Sequence, residues 1–75
     1  DTKAKFYNAI HTQPNIAVAK RAFSDLANTP GTAISAHPTD YSLIEIGVFN
    51  DETGVIEPCD HINYGTADQY LISKE

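Results

Sequence analysis

Three groups of side chains in this sequence have the chemical capacity to form a site. Cys59-Asp60-His61 places a thiol, a carboxylate and an imidazole in consecutive positions, the raw material of zinc ligation or of a Cys–His nucleophile. Asn50-Asp51-Glu52, with Thr53 and Gly54 after it and Glu57 beyond, offers oxygen ligands to a hard cation. Lys3, Lys5 and Tyr7, with Lys20 and Arg21 further on, combine cations with an aromatic ring, the pairing that grips a phosphate backbone while stacking on a base.

Each group has a plainer reading. Structural zinc asks for four ligands in paired spacings, and Cys59 has no second cysteine beside it, so His11 and His37 would have to come from distant loops. A nucleophile and base one residue apart rarely aim at each other, and no third group is there to orient them. Cys59 to His61 therefore reads as a polar loop that follows a hairpin. The acidic stretch lacks the alternating Asp/Asn positions and the closing glutamate of a helix–loop–helix calcium site. It reads as a turn between two strands, and adjacent carboxylates at a hairpin tip are hard to desolvate for catalysis. His37, ahead of Pro38, reads as a turn residue. The glycines stand isolated at 31, 47, 54 and 65, so no phosphate-cradling loop is present. No enzyme is expected from this pattern, and no metal or other cofactor.

The cationic and aromatic set is set against an acidic chain with a net charge of −5, which disfavours a general polyanion binder. The charge is unevenly spread: residues 1–28 carry a net +2 and residues 29–75 a net −7. Four of the five basic side chains lie within the first 21 residues, so a nucleic-acid surface is expected there. The plainer reading is ordinary surface charge, because five basic residues make a weak electrostatic footprint.

The elements that must position these residues follow from hydrophobic periodicity. Ala4, Phe6 and Ile10 alternate with Lys3, Lys5 and Tyr7, which predicts a strand over 3–11. Ile16, Ala19, Phe23 and Leu26 recur at helical spacing, predicting an amphipathic helix over 15–28 with Thr12 or Asn15 as N-cap and Lys20 and Arg21 on its polar side. Residues 32–38 read as a loop anchored by Ile34. Tyr41 to Phe49 reads as a strand whose β-branched set, Ile44, Ile46 and Val48, is the expected inner face against the helix. Residues 50–54 form the turn, with Gly54 at positive φ, and Val55 to Glu57 the returning strand. Pro58 is expected to end that hairpin. Residues 59–75 read as a tail or a short docked helix, with Thr66 and Gln69 as a capping box. The fold class is α+β: a small antiparallel sheet with one amphipathic helix packed on one face, in one domain spanning residues 1–75.

A chain of 75 residues buries only about 60% of the surface its unfolded form exposes, so its core is small. Oligomerisation, as a homo-oligomer, or docking on a larger partner would supplement it. The single cysteine excludes an internal disulfide, no apolar run approaches the roughly 18 residues of a membrane span, and no secretory h-region is visible. These features fit a cytoplasmic protein.

The phrases "RAFSDLANTPGTAISAHPTDYSLIEIGVFNDETGVIE" and "INYGTADQYL" resemble the small nonstructural protein of gokushovirus-type microviruses, the single-stranded DNA phages. The resemblance is carried by Arg21 to Asp25 after an alanine-rich stretch, His37-Pro38-Thr39-Asp40-Tyr41, Ile46-Gly47, and the Asn50 to Gly54 turn, and it covers roughly residues 16–71. Thr39 stands where an acidic residue is commoner. Family members open with an aromatic-rich strand running into an Asp-x-Lys-Ala phrase, whereas this chain starts with Asp1-Thr2-Lys3-Ala4, which leaves the expected sheet one strand short. The resemblance implies an accessory protein of single-stranded DNA genome replication or packaging in the bacterial host cytoplasm, acting through single-stranded DNA. The competing expectation is a module that binds capsid, scaffold or replication proteins without touching DNA.

Overall fold

The structure is a computed structural model that describes residues 10–72. Its elements are α1 (Ile16–Ala27), a one-turn α2 (Ala33–Ala36), a 3-10 turn at Pro38–Asp40, the strands β1 (Ser42–Asn50) and β2 (Val55–Thr66), and a closing 3-10 turn at Ala67–Tyr70. This is the α+β class expected. The strand predicted over 3–11, with Lys3, Lys5 and Tyr7, lies outside the described residues except for Ile10 and His11, which adopt no regular structure.

Asn15 starts α1. Its extended backbone stops the chain short of helix, and its Oδ1 accepts the Val18 N–H at 2.9 Å, satisfying one of the open donors of the first turn. Past the end of α1, Thr32 links two elements: its hydroxyl donates to the Leu26 carbonyl at 2.8 Å and accepts the Ser35 N–H at 2.9 Å. That cap nucleates α2 where a plain loop was expected. Ile34, carried on α2, is the partly buried anchor the sequence pointed to.

The acidic stretch is a turn. Gly54 N–H donates to the Asn50 carbonyl at 2.7 Å, and Asn50 Oδ1 accepts the N–H groups of Glu52 at 2.9 Å and Thr53 at 3.2 Å. Gly54 closes it with φ 76°, a conformation that costs side-chain-bearing residues dearly. The Asn50 side chain is thereby committed to its own backbone.

The returning strand does not end at Pro58. β2 runs antiparallel to β1 through Thr66, so Cys59, Asp60 and His61 lie within a strand rather than in a loop after it. Pro58 is tolerated because it stands where the ladder is already broken: between the pairs Gly47–Pro58 and Glu45–Ile62, β1 advances two residues and β2 four. A second irregularity, with one extra residue in β2, falls between Ile44–Asn63 and Ser42–Thr66. Both insertions are in β2, so β1 runs straight. At the first, the strands approach so closely that a Cβ on residue 47 would sit 2.6 Å from the Glu57 carbonyl oxygen and 3.1 Å from the Pro58 Cα. Only glycine fits there.

Among the described residues the core is Phe23, Ala27 and Ala67, with Ile34, Tyr41, Leu43 and Tyr70 packed around it. The inner face of β1 is thus the one bearing Leu43, not the Ile44-Ile46-Val48 face expected, and Val48 is 57% exposed. The reason is where α1 rests. Its principal contact is the closing turn, so it reaches only the root of the hairpin. Phe23 meets Tyr70 edge to face with centroids 5.3 Å apart. Beside that contact, the Asn28 amide donates to the carbonyls of Ser24 at 2.8 Å and Tyr70 at 3.0 Å, and its Oδ1 accepts the Ile72 N–H at 2.9 Å. Ser24 Oγ donates to the same Tyr70 carbonyl at 3.2 Å.

Asn28→Ala removes these links and leaves the Tyr70 carbonyl and the Ile72 N–H short of partners, an expected loss of about 2 kcal/mol, read as a lower urea midpoint at unchanged slope. Gly47→Ala is expected to cost about 1–3 kcal/mol through overpacking against backbone, by the same measurement.

Candidate nucleic-acid interface

Of the cations singled out in the sequence, Lys20 and Arg21 are described, both exposed on α1. Lys20 reaches across to the hairpin, where its Nζ lies 5.2 Å from the centroid of the Tyr64 ring, within the range of a cation–π contact. Tyr64 lies on β2, two residues beyond Ile62, and Ile62 pairs with Glu45 on β1. The two-residue period of a strand therefore puts the Tyr64 ring on the same face as Glu45. Its hydroxyl donates to Glu45 Oε1 at 2.8 Å. The ring is fixed from both ends, by an ammonium over its face and a carboxylate at its tip. The Glu45 hydrogen bond pushes the Tyr64 phenol above its ordinary value, with desolvation adding to it, because ionisation would set a phenolate against a carboxylate.

Such an arrangement holds an aromatic face and two cations at the junction of helix and hairpin. A phosphate would meet Lys20 and Arg21, while the ring edge and the apolar stem of Lys20 would meet a base or sugar. Arg21 is exposed beside Lys20 in the sequence of α1. Lys3, Lys5 and Tyr7 lie outside the described residues. Tyr64 was passed over in the sequence because its segment read as a tail; only the register beyond Pro58 aligns it with Glu45.

Cys59, Asp60 and His61 are placed in the irregular stretch of β2 opposite Ile46, with Cys59 half-buried. Among the described residues no three His, Cys, Asp or Glu side chains converge as a metal site would require.

A second feature is an open cleft of about 1620 Å³, lined on one side by Ile16, Ala19 and Phe23 of α1 and on the other by Leu43, Ile46 and Phe49 of β1.

A model of the Phage ORF5 protein family matches residues 1–68 of this sequence. The chain belongs to that family. It is a phage protein, and the resemblance drawn from the Arg21–Asp25 and Asn50–Gly54 phrases was pointing at phage ancestry. Neither the curated proteins nor the solved structures contain a match to it. Among the described residues of this phage protein, no helix is long and apolar enough to cross a membrane.

The Tyr64 hydroxyl bond to Glu45 is expected to persist through neutral pH and to be lost only as pH rises through the raised phenol value. A spectrophotometric tyrosine titration of the wild type minus that of Tyr64→Phe should isolate one phenol that ionises above the ordinary tyrosine value near pH 10. A difference curve centred at or below it would contradict the Glu45 contact.

Proposed function

We propose that this phage protein is the nonstructural accessory protein of a gokushovirus-type microvirus and that it associates with single-stranded DNA during genome replication or packaging, in the host cytoplasm and without catalysing a reaction. The observation that carries this reading is the Lys20 ammonium held over the Tyr64 ring, with the exposed Arg21 next to Lys20 on α1. It sets an aromatic ring, one face of it covered by the Lys20 ammonium, next to phosphate-binding charge on one side of an otherwise acidic chain, so binding would be local rather than spread over the surface. Single strands suit it better than duplex, whose bases are not free to stack on a side chain. The acidic remainder, a net −7 over residues 29–75, limits the contact to this face.

A second reading, docking on capsid, scaffold or replication proteins, is favoured by one observation, the apolar cleft between α1 and β1. The two readings separate by salt and by residue. Fluorescence anisotropy with a labelled single-stranded oligonucleotide should show binding that weakens as salt rises. With two phosphates neutralised, log K against log salt should fall with a slope of about −1.4. Lys20→Ala/Arg21→Ala should abolish most of that slope, and Tyr64→Ala should weaken binding by roughly tenfold, about 1–2 kcal/mol for a lost stack, with the slope retained. Absence of binding at low salt overturns the DNA reading and leaves the cleft as the functional surface.

A further inference from the structure

The two strands differ in how they treat their outer edges. β2 carries Pro58, the charges Glu57 and Asp60, and two register breaks, which are the devices that keep a strand edge from pairing with another chain. β1 has none of them. Its sequence, SLIEIGVFN, contains no proline and one charge, Glu45, whose carboxylate is turned to Tyr64, and it runs without a bulge for nine residues. Among the described residues β1 pairs with β2 alone.

The same nine residues are self-complementary. Run antiparallel against a second copy about a two-fold axis through Ile46, they set Ile46 opposite Ile46, Ile44 opposite Val48 and Leu43 opposite Phe49. Glu45 falls opposite Gly47, so no like charges meet. Every large apolar residue of β1 acquires an apolar cross-strand neighbour in that one register, including Val48, 57% exposed, and Phe49, 45% exposed. An arbitrary partner strand would have no reason to match this pattern. A copy of the chain matches it by symmetry, since a two-fold interface requires a surface complementary to itself. Pairing would also turn two hairpins, each marginal alone, into one four-stranded sheet.

We propose that the chain forms a two-fold dimer by antiparallel pairing of β1 with β1 of a second copy, centred on Ile46. This is independent of DNA binding, because it uses backbone edges and not the Lys20–Tyr64 face.

Sedimentation equilibrium on the full chain tests it. The wild type is expected at twice the 8.2 kDa chain mass. Val48→Lys, at an already exposed position, should shift the protein towards monomer while circular dichroism shows it folded. Ile46→Lys and Ile46→Glu should each be monomeric alone, since like charges would meet on the axis, and should associate when mixed. That recovery is specific to a residue facing its own copy. A wild type that remains monomeric at high concentration overturns the proposal and leaves the edge to the chain's own first nine residues or to another protein. A dimer indifferent to both substitutions overturns it equally, by placing the contact elsewhere.

Discussion

The fold depends on the clasp between the carboxy-terminal end of α1 and the closing turn. A 12-residue helix is marginal in water, and so is an isolated two-stranded hairpin. Neither is stabilised by a broad mutual interface, because α1 does not lie along the sheet. They are joined through Tyr70. Its ring packs edge-on to Phe23, its carbonyl accepts from both Asn28 and Ser24, and its hydroxyl donates to the Tyr64 carbonyl at 2.6 Å. One residue thus ties the helix to the last stretch of β2. Ala67, fully buried, completes the joint by donating its N–H to the Tyr41 carbonyl at 2.9 Å. Its methyl group is small enough to let the turn approach Phe23 and Ala27 closely. The placement of Lys20 over Tyr64 is a consequence, since the two residues belong to elements that only this joint holds in relation.

What could be read from the sequence is what is decided locally. Asn15 before an apolar-periodic run, and Asn50 to Gly54 between two β-rich runs, each carry their own hydrogen-bonding solution, so a few neighbouring residues suffice to identify the cap and the turn. Ile34 stood out as the one bulky apolar residue in a polar stretch. What was not legible depends on pairing across the chain. Pro58 ordinarily ends a strand, and nothing nearby announces that β2 resumes beyond it; the permission comes from Gly47, eleven positions earlier, whose missing side chain lets the strands pinch. The inner face of β1 was misassigned for a related reason. β-branched residues favour strands whichever face they occupy, and Leu43 was selected by reaching Phe23, a contact settled by the closing turn. Tyr64 joined the candidate site only once the register was known.

The charge distribution gives the site its character. A chain of net charge −5 repels a polyanion at long range, so any association with nucleic acid must come from short-range contacts that outweigh that repulsion. The contact proposed at Tyr64 would provide one, because contact with an aromatic ring is insensitive to net charge. Glu45 has a double role here. It orients Tyr64, yet it also brings a negative charge close to where a phosphate would sit. On the proposed reading, a site arranged in this way would bind weakly per copy and discriminate little between sequences, which suits coating a strand more than reading a base.

Weak binding per copy, on that reading, would make the geometry of β1 consequential. Edge-to-edge pairing consumes backbone N–H and C=O groups and leaves both faces of the sheet open, so the Tyr64 face stays available in a pair of chains. Two such faces on one sheet would convert the second contact with a strand into an intramolecular event, with an effective concentration in the range of about millimolar when the spacing is met. Doubling the phosphate contacts also doubles the salt dependence, since counterion release is counted over the whole assembly. Affinity would then respond steeply to protein concentration. It would be low while the chain is scarce and high once enough has accumulated to pair, a dependence that would arise from the proposed pairing of β1 and need no change in the site itself.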